Sequence, residues 1–226
     1  MTAILEAPPA ALPVVRRPDG GLPPPPRPTG GDDGDDRDPE PRRPLLDNAR
    51  LATIFLIAAE TMLFAGLISG FLVLRFAAAV WPPPLQPRLP IAVTGVNTLV
   101  LLASSVAVAA AVRALSRGPA SRVITRLKVA AALGATFLVV QGYEWARLIG
   151  FGLTASSGAY GGTFYTLIGA HALHVVGALA WLTIALVFVQ SGRFRPERSG
   201  GLRACALYWH FVVGLWPILY VAVYLL

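Results

Sequence analysis

The chain has 226 residues, of which 55% are hydrophobic and only 14% charged, well short of the quarter that is usual in a soluble domain. A net charge of +7 would point a soluble protein toward nucleic acid; here thirteen bases and only three acids follow Asp47, flanking apolar blocks, so membrane topology and anionic lipid account for the excess and exclude a nucleic-acid partner. A lone cysteine, Cys205, rules out an internal disulfide and a cysteine-based metal site, and reads as a small residue at a helix start.

Residues 1–47 hold twelve of the twenty prolines, including GLPPPPRPTGGDDGDDRDPE with its acidic cluster. Such a segment buries too little apolar area to offset the entropy of ordering, which predicts a disordered tail. It lacks the basic start and compact apolar stretch of a secretory signal. Five apolar blocks follow, at about 51–74, 91–112, 127–149, 164–189 and 204–226. Each is near or above the ~20 residues that cross a bilayer. The fold class is therefore all-α, a polytopic bundle of five transmembrane helices, because open sheet would leave backbone groups unsatisfied in lipid.

The link WPPPLQPRLP, residues 81–90, is too rich in proline for a helix and carries Trp81 as an interfacial anchor. The stretch GFGLTASSGAYGG, residues 150–162, reads as a flexible loop between the third and fourth helices. Basic residues near helix ends fix the orientation. Twelve (Arg42, Arg43, Arg50, Arg113, Arg117, Arg122, Arg126, Lys128, Arg193, Arg195, Arg198 and Arg203) fall on the side of the N-terminus, against Arg75, Arg88 and Arg147 on the other. That puts the N-terminus in the cytoplasm and the C-terminus outside a bacterial-type inner membrane.

The polar residues within the blocks are the candidates for function. Glu60 stands in a run with no other charge for nine residues before it and fourteen after. An unpaired charge there costs about 2.5 kcal/mol or more. It reads either as a neutral carboxyl donating a hydrogen bond to a neighbouring helix, or as a proton-linked or lipid-contacting group. By helix rise, Glu144, His171 and His174 fall at one depth, and Gln141 shares a helical face with Glu144 as His171 does with His174. This predicts a buried polar cluster of Gln141, Glu144, His171 and His174 joining the third and fourth helices. The same groups could ligate iron or zinc, but no second Glu-x-x-His unit accompanies them and the structural cluster is favoured. Counted by rise, His210 lies below the Glu60 layer. Gly66 with Gly70, and Gly177 with Ala178, signal closely approaching neighbours, and Pro217 predicts a kink.

With these features placed, residues 48–226 resemble cytochrome c oxidase subunit III. AETMLFAGLISGFLVLR is similar to the family's helix with a lone glutamate, and Glu60 matches the carboxylate known there for carbodiimide reactivity. LPIAVTGVNTLVLLASSVAVAAA resembles the next segment. QGYEWARLIGFGLTASSGAYGGTFYTLIGAHALHVVGALAWL matches the longest signature, with Glu144, Tyr160, Gly161, Thr163, Phe164, Gly169, His171 and His174 in register. YWHFVVGLWPILYVAVYLL, with Tyr208, Trp209 and His210 as further polar or interface residues, resembles the closing signature. Two departures stand out: Val213 occupies the place of the family's common Asp, and the chain matches the last five of the seven helices of the full-length form.

The resemblance implies an accessory subunit of a proton-pumping haem-copper oxidase. It would bind no metal, haem or copper itself and hold phospholipid, with catalytic subunit I and subunit II as partners carrying the redox groups. Alternatives are the equivalent subunit of a quinol oxidase or the homologue accompanying nitric oxide reductase, and, from other classes, a stand-alone transporter or an intramembrane metalloenzyme.

Overall fold

The computed structural model describes residues 48–84, 86–115, 119–192 and 200–226. The expected tail, 1–47, and the basic residues Arg117, Arg193, Arg195 and Arg198 lie outside them. The described residues contain no strand. They form helices α1 (Asn48–Ala77), α2 (Ile91–Ala114), α3 (Ala120–Gly150), α4 (Gly158–Gln190) and α5 (Gly200–Tyr220), the last continued by a π-helical turn at Val221–Leu225. All five are long and apolar enough to cross a membrane. With no water in hydrocarbon to satisfy N–H and C=O groups, such a chain is confined to helices.

The helices outrun the apolar blocks, because polar residues at the membrane surface continue a helix as readily as apolar ones. α3 starts at Ala120, straight after Pro119, whose missing N–H is no loss at a first turn. The stretch expected as a loop between α3 and α4 is shorter than predicted, since Gly150 falls within α3 and residues 158–162 within α4. What remains is tied down. Gly152 takes a φ of +88°, and the N–H of Leu153 reaches back to the carbonyl of Leu148 at 3.0 Å, a Schellman closure with Leu153 fully buried beneath it. Ser157 Oγ accepts from the Thr154 N–H at 2.9 Å and donates to the Gly152 carbonyl at 3.0 Å.

Helices α2, α3, α4 and α5 pack in a closed ring, α2 against α3, α3 against α4, α4 against α5 and α5 back against α2; α1 lies outside it against α5 and, less extensively, α4. Trp209 and Trp216 fill the middle of the ring at 1% and 0% exposure. Polar rungs join α2 to α5. Trp209 Nε1 donates to Ser104 Oγ (3.2 Å), Trp216 Nε1 to Thr98 Oγ1 (2.8 Å) and Tyr220 Oη to the Ile91 carbonyl (3.0 Å). Between α2 and α3, Asn97 Nδ2 donates to the Phe137 carbonyl at 3.0 Å. Where water is absent such bonds supply cohesion that burial of apolar area does not.

Small residues matter where the ring is tight. A β-carbon on Gly134 of α3 would lie 2.6 Å from Cη2 of Trp209, so only glycine admits that indole. Gly66 and Gly70 behave otherwise. A β-carbon on either meets nothing within 4 Å, and both line an open cleft of about 230 Å³ between α1 and α4, so the expected close neighbour is not supplied by the described residues. Trp81 does sit in the link, half-buried between Phe71 and Tyr160, with ring centroids 5.8 and 5.1 Å away and the Arg75 guanidinium 5.7 Å from its own centroid.

Candidate functional site

Glu60 projects from α1 toward α4, where its Oε2 lies 2.5 Å from Nε2 of His174, an ion-pair distance outside hydrogen-bond alignment. The other ring nitrogen, Nδ1, is 2.6 Å from the carbonyl of Ala170 one turn earlier. A carbonyl only accepts, so this contact places a proton on Nδ1. Nε2 then faces Glu60 either as the acceptor of a carboxyl O–H or as the second N–H of an imidazolium opposite a carboxylate. In either arrangement the two side chains face each other at ion-pair distance, so neither is left without a counterpart in the bilayer.

The pair sits at the rim of the bundle. The His174 and Glu60 side chains keep 16% and 14% of their exposure. Phe64, one turn beyond Glu60 and 1% exposed, closes the inner side, with its ring edge-on to His174 at 5.1 Å and to His171 at 6.3 Å. A carboxyl and an imidazole backed by apolar groups and open on one side can hold, give up or take a proton, or hydrogen-bond to whatever lies against that face.

The four residues expected to form one cluster do not share hydrogen bonds. Gln141 Nε2 donates to Tyr224 Oη at 3.1 Å. Glu144 accepts from Nη1 of Arg147, on its own helix, at 3.1 and 3.3 Å. His171, fully buried, stacks on Trp216 with centroids 5.0 Å apart and 27° between planes, and neither of its ring nitrogens has a hydrogen-bond partner among the described residues. His174 turns to Glu60. Depth along a helix fixes height and leaves azimuth open, which is why residues at one level meet different neighbours. Glu60 and His174 lie about 18 and 24 Å from the nearer ends of their helices, a gap that helix tilt and two long side chains close.

His210, expected below this layer, lines a cleft between α1 and α5 together with Thr61. Its Nδ1 is 2.5 Å from Ser105 Oγ of α2. Tyr208, 8% exposed, packs beside Trp181, and Trp209 belongs to the core. Val213 is 2% exposed, so an apolar residue stands at a buried position where an acid would need a partner. Among the described residues no three His, Cys, Asp or Glu side chains converge in a way that could hold a metal ion. The α2 groups that receive the rungs, Thr98, Ser104 and Ser105, were not singled out from the sequence. Their signal was there: Thr94, Thr98 and Ser104, with the buried Leu101 between them, recur every three or four residues along one face of an otherwise apolar helix, and Ser105 adjoins it.

Comparison with known proteins places these features. The family profile described as "Cytochrome c oxidase subunit III" matches residues 43–226. Curated relatives include "Cytochrome c oxidase subunit 3" of Synechocystis sp. (33% identical, over 80% of this chain and 76% of that protein) and "Probable cytochrome c oxidase subunit 3" of Nocardia farcinica (35%, over 77% and 86%). "Cytochrome c oxidase subunit 3" of Sus scrofa is 33% identical over 77% of this chain and 68% of its own length. A lone helical carboxylate paired with the second histidine of HALH, on a five-helix scaffold matched over nearly all its described length, is thus set in a chain that belongs to the cytochrome c oxidase subunit III family.

Proposed function

We propose that the chain is the accessory, non-redox subunit of a proton-pumping haem-copper terminal oxidase of the cytochrome c type. In this reading it sits in a bacterial-type inner membrane with the N-terminus inside. It packs against catalytic subunit I and alongside subunit II, which carry the haem and copper. It supports the stability and proton uptake of the catalytic subunit and holds phospholipid.

One observation carries the reading. The Glu60–His174 pair stands on α1, whose apolar span is only 11% buried within the chain against 56% for α5. A proton-holding pair at membrane depth, on the least enclosed helix, suits a surface completed by other chains and lipid. The test is purification in mild detergent through an N-terminal tag, followed by an optical spectrum and an inventory of proteins. Haem absorbance arriving with a large catalytic partner and a copper-binding second subunit supports the reading. A colourless, solitary chain contradicts it, and a haem partner without that second subunit shifts the assignment to the quinol oxidase or nitric oxide reductase relatives.

A further inference from the structure

Four buried polar atoms within the ring of α2–α5 have no hydrogen-bond partner among the described residues: Thr94 Oγ1 and Asn97 Oδ1 on α2, and Nδ1 and Nε2 of His171 on α4. None of the three residues exceeds 3% exposure. Trp216 gathers them around one indole. Its Nε1 donates to Thr98, the residue after Asn97, while His171 stacks on its face with centroids 5.0 Å apart. The Phe137 ring meets the indole edge-on at 5.1 Å, and the Phe137 carbonyl takes Asn97 Nδ2 at 3.0 Å. Tyr224 closes the surround, its ring centroid 6.4 Å from that of Trp216. Its Oη accepts from Gln141 and lies beside the Thr94 hydroxyl, outside hydrogen-bond geometry.

The unmet valences are of both kinds. A neutral imidazole carries one N–H and one bare nitrogen, so His171 leaves a donor and an acceptor unpaired in either tautomer. Asn97 Oδ1 only accepts. Thr94 can do both, because its hydroxyl is not turned back on the carbonyl four residues before it, as those of Thr98 and Thr136 are. Each such group left bare in the interior is destabilising. A cation would satisfy the acceptors and strand the imidazole N–H, and an anion would do the reverse. A lipid head group has no way in, since the three residues are enclosed by the helices. Water both donates and accepts, and buried water takes groups of this kind.

From this set we propose that the ring binds water at His171, as a small cluster of ordered molecules hydrogen-bonded to its ring nitrogens and shared with Asn97 Oδ1 and the Thr94 hydroxyl. The cluster joins α4 to α2 across the Trp216 indole. It does not depend on the assignment to an oxidase: a haem-bearing complex with a dry His171 overturns it alone.

The test is X-ray radiolysis of the full chain with its natural partners in native membranes. Bound water then yields hydroxyl radicals that oxidise the nearest side chains, read by mass spectrometry of the peptides. Trp209 and Trp216 provide an internal comparison. Both lie in the ring, at 1% and 0% exposure, but the partner of Trp209, Ser104 Oγ, is itself satisfied by the Leu101 carbonyl. Trp216 is expected to oxidise several-fold faster than Trp209, a comparison that needs no variant. His171→Phe keeps a ring against Trp216 and removes the nitrogens that hold the water. Loss of one hydrogen bond lowers occupancy about tenfold, and Trp216 oxidation should fall by the same factor. Equal oxidation of the two tryptophans in the unaltered chain overturns the proposal, as does a Trp216 rate that His171→Phe leaves unchanged. So does a density map of the intact complex in which protein groups close on both His171 nitrogens with no water peak between.

Discussion

Helices α1 and α5 are both apolar and both long enough to span a bilayer, yet they are built for different surroundings. α5 presents Trp209, Val212, Trp216 and Leu219 to the ring, all at or below 1% exposure, and uses its indole N–H groups on α2 hydroxyls. α1 buries only Thr53, Phe64 and Phe71, leaves Phe55, Met62, Val73 and Phe76 at 67% exposure or more, and keeps two glycines open. Hydrophobicity alone does not separate them, because lipid is as apolar as a leucine core. What separates them is the polar and small-residue content and where it points: into the ring on α5, toward a cleft on α1. The fold resides in the ring, and the candidate site on the helix outside it.

Substitutions can break this contrast. The largest effect is expected for Trp216→Ala, which removes an indole touching Phe137, His171 and Tyr224. Loss of a buried aromatic of this size costs about 3–5 kcal/mol. The midpoint of thermal unfolding in detergent should fall steeply, with little mature protein in the membrane. Next comes the same change made in two regions. Gly134→Val drives a side chain into Trp209 and should cost about 1–3 kcal/mol, whereas Gly66→Val enters open space and should leave the midpoint of the isolated chain unchanged. Equal losses at the two positions would mean that α1 is packed as tightly as the ring.

Smaller effects sharpen the account of the site. His174→Leu leaves the Glu60 carboxyl without its partner at membrane depth, which should cost about 1–3 kcal/mol and lower the folded yield. Ser104→Ala orphans Trp209 Nε1 and should cost about 0.6–1.7 kcal/mol, the range of interhelical hydrogen bonds in bilayers. Glu60→Gln should change stability least, within about 0.5 kcal/mol, because an amide has the shape of a carboxyl and can donate to or accept from His174 Nε2. Membrane content and assembly measured by quantitative blotting should match the parent. Loss of the protein in that variant would mean that a charged, structurally paired Glu60 is required.

The number and type of the elements were legible in the sequence, because each helix is a long apolar block and lipid permits little else. The identities of Glu60, Gln141, Glu144, His171 and His174 as intramembrane polar residues were legible for the same reason. Their partners were not. Arg147, three residues after Glu144, offers an obvious i,i+3 ion pair that competes with any cross-helix contact, and it prevails. His174 pairs with the first helix because α1 packs against α4, and neighbour relations among helices joined by short links are not written in periodicity. The motif Gly66-x-x-x-Gly70 reports a helix surface that permits close approach, and cannot say whether the approaching body is in the same chain.

The central claim is that α1, with Glu60 facing His174, is completed by other molecules whereas the ring of α2–α5 is complete in itself. Hydrogen exchange of backbone amides tests this directly, comparing the isolated chain in detergent with the same chain in its native membrane assembly. The account predicts that amides around Glu60 exchange about tenfold or more slower in the assembly, while those around Trp216 are equally protected in both. Equal protection of α1 in the two states would contradict it.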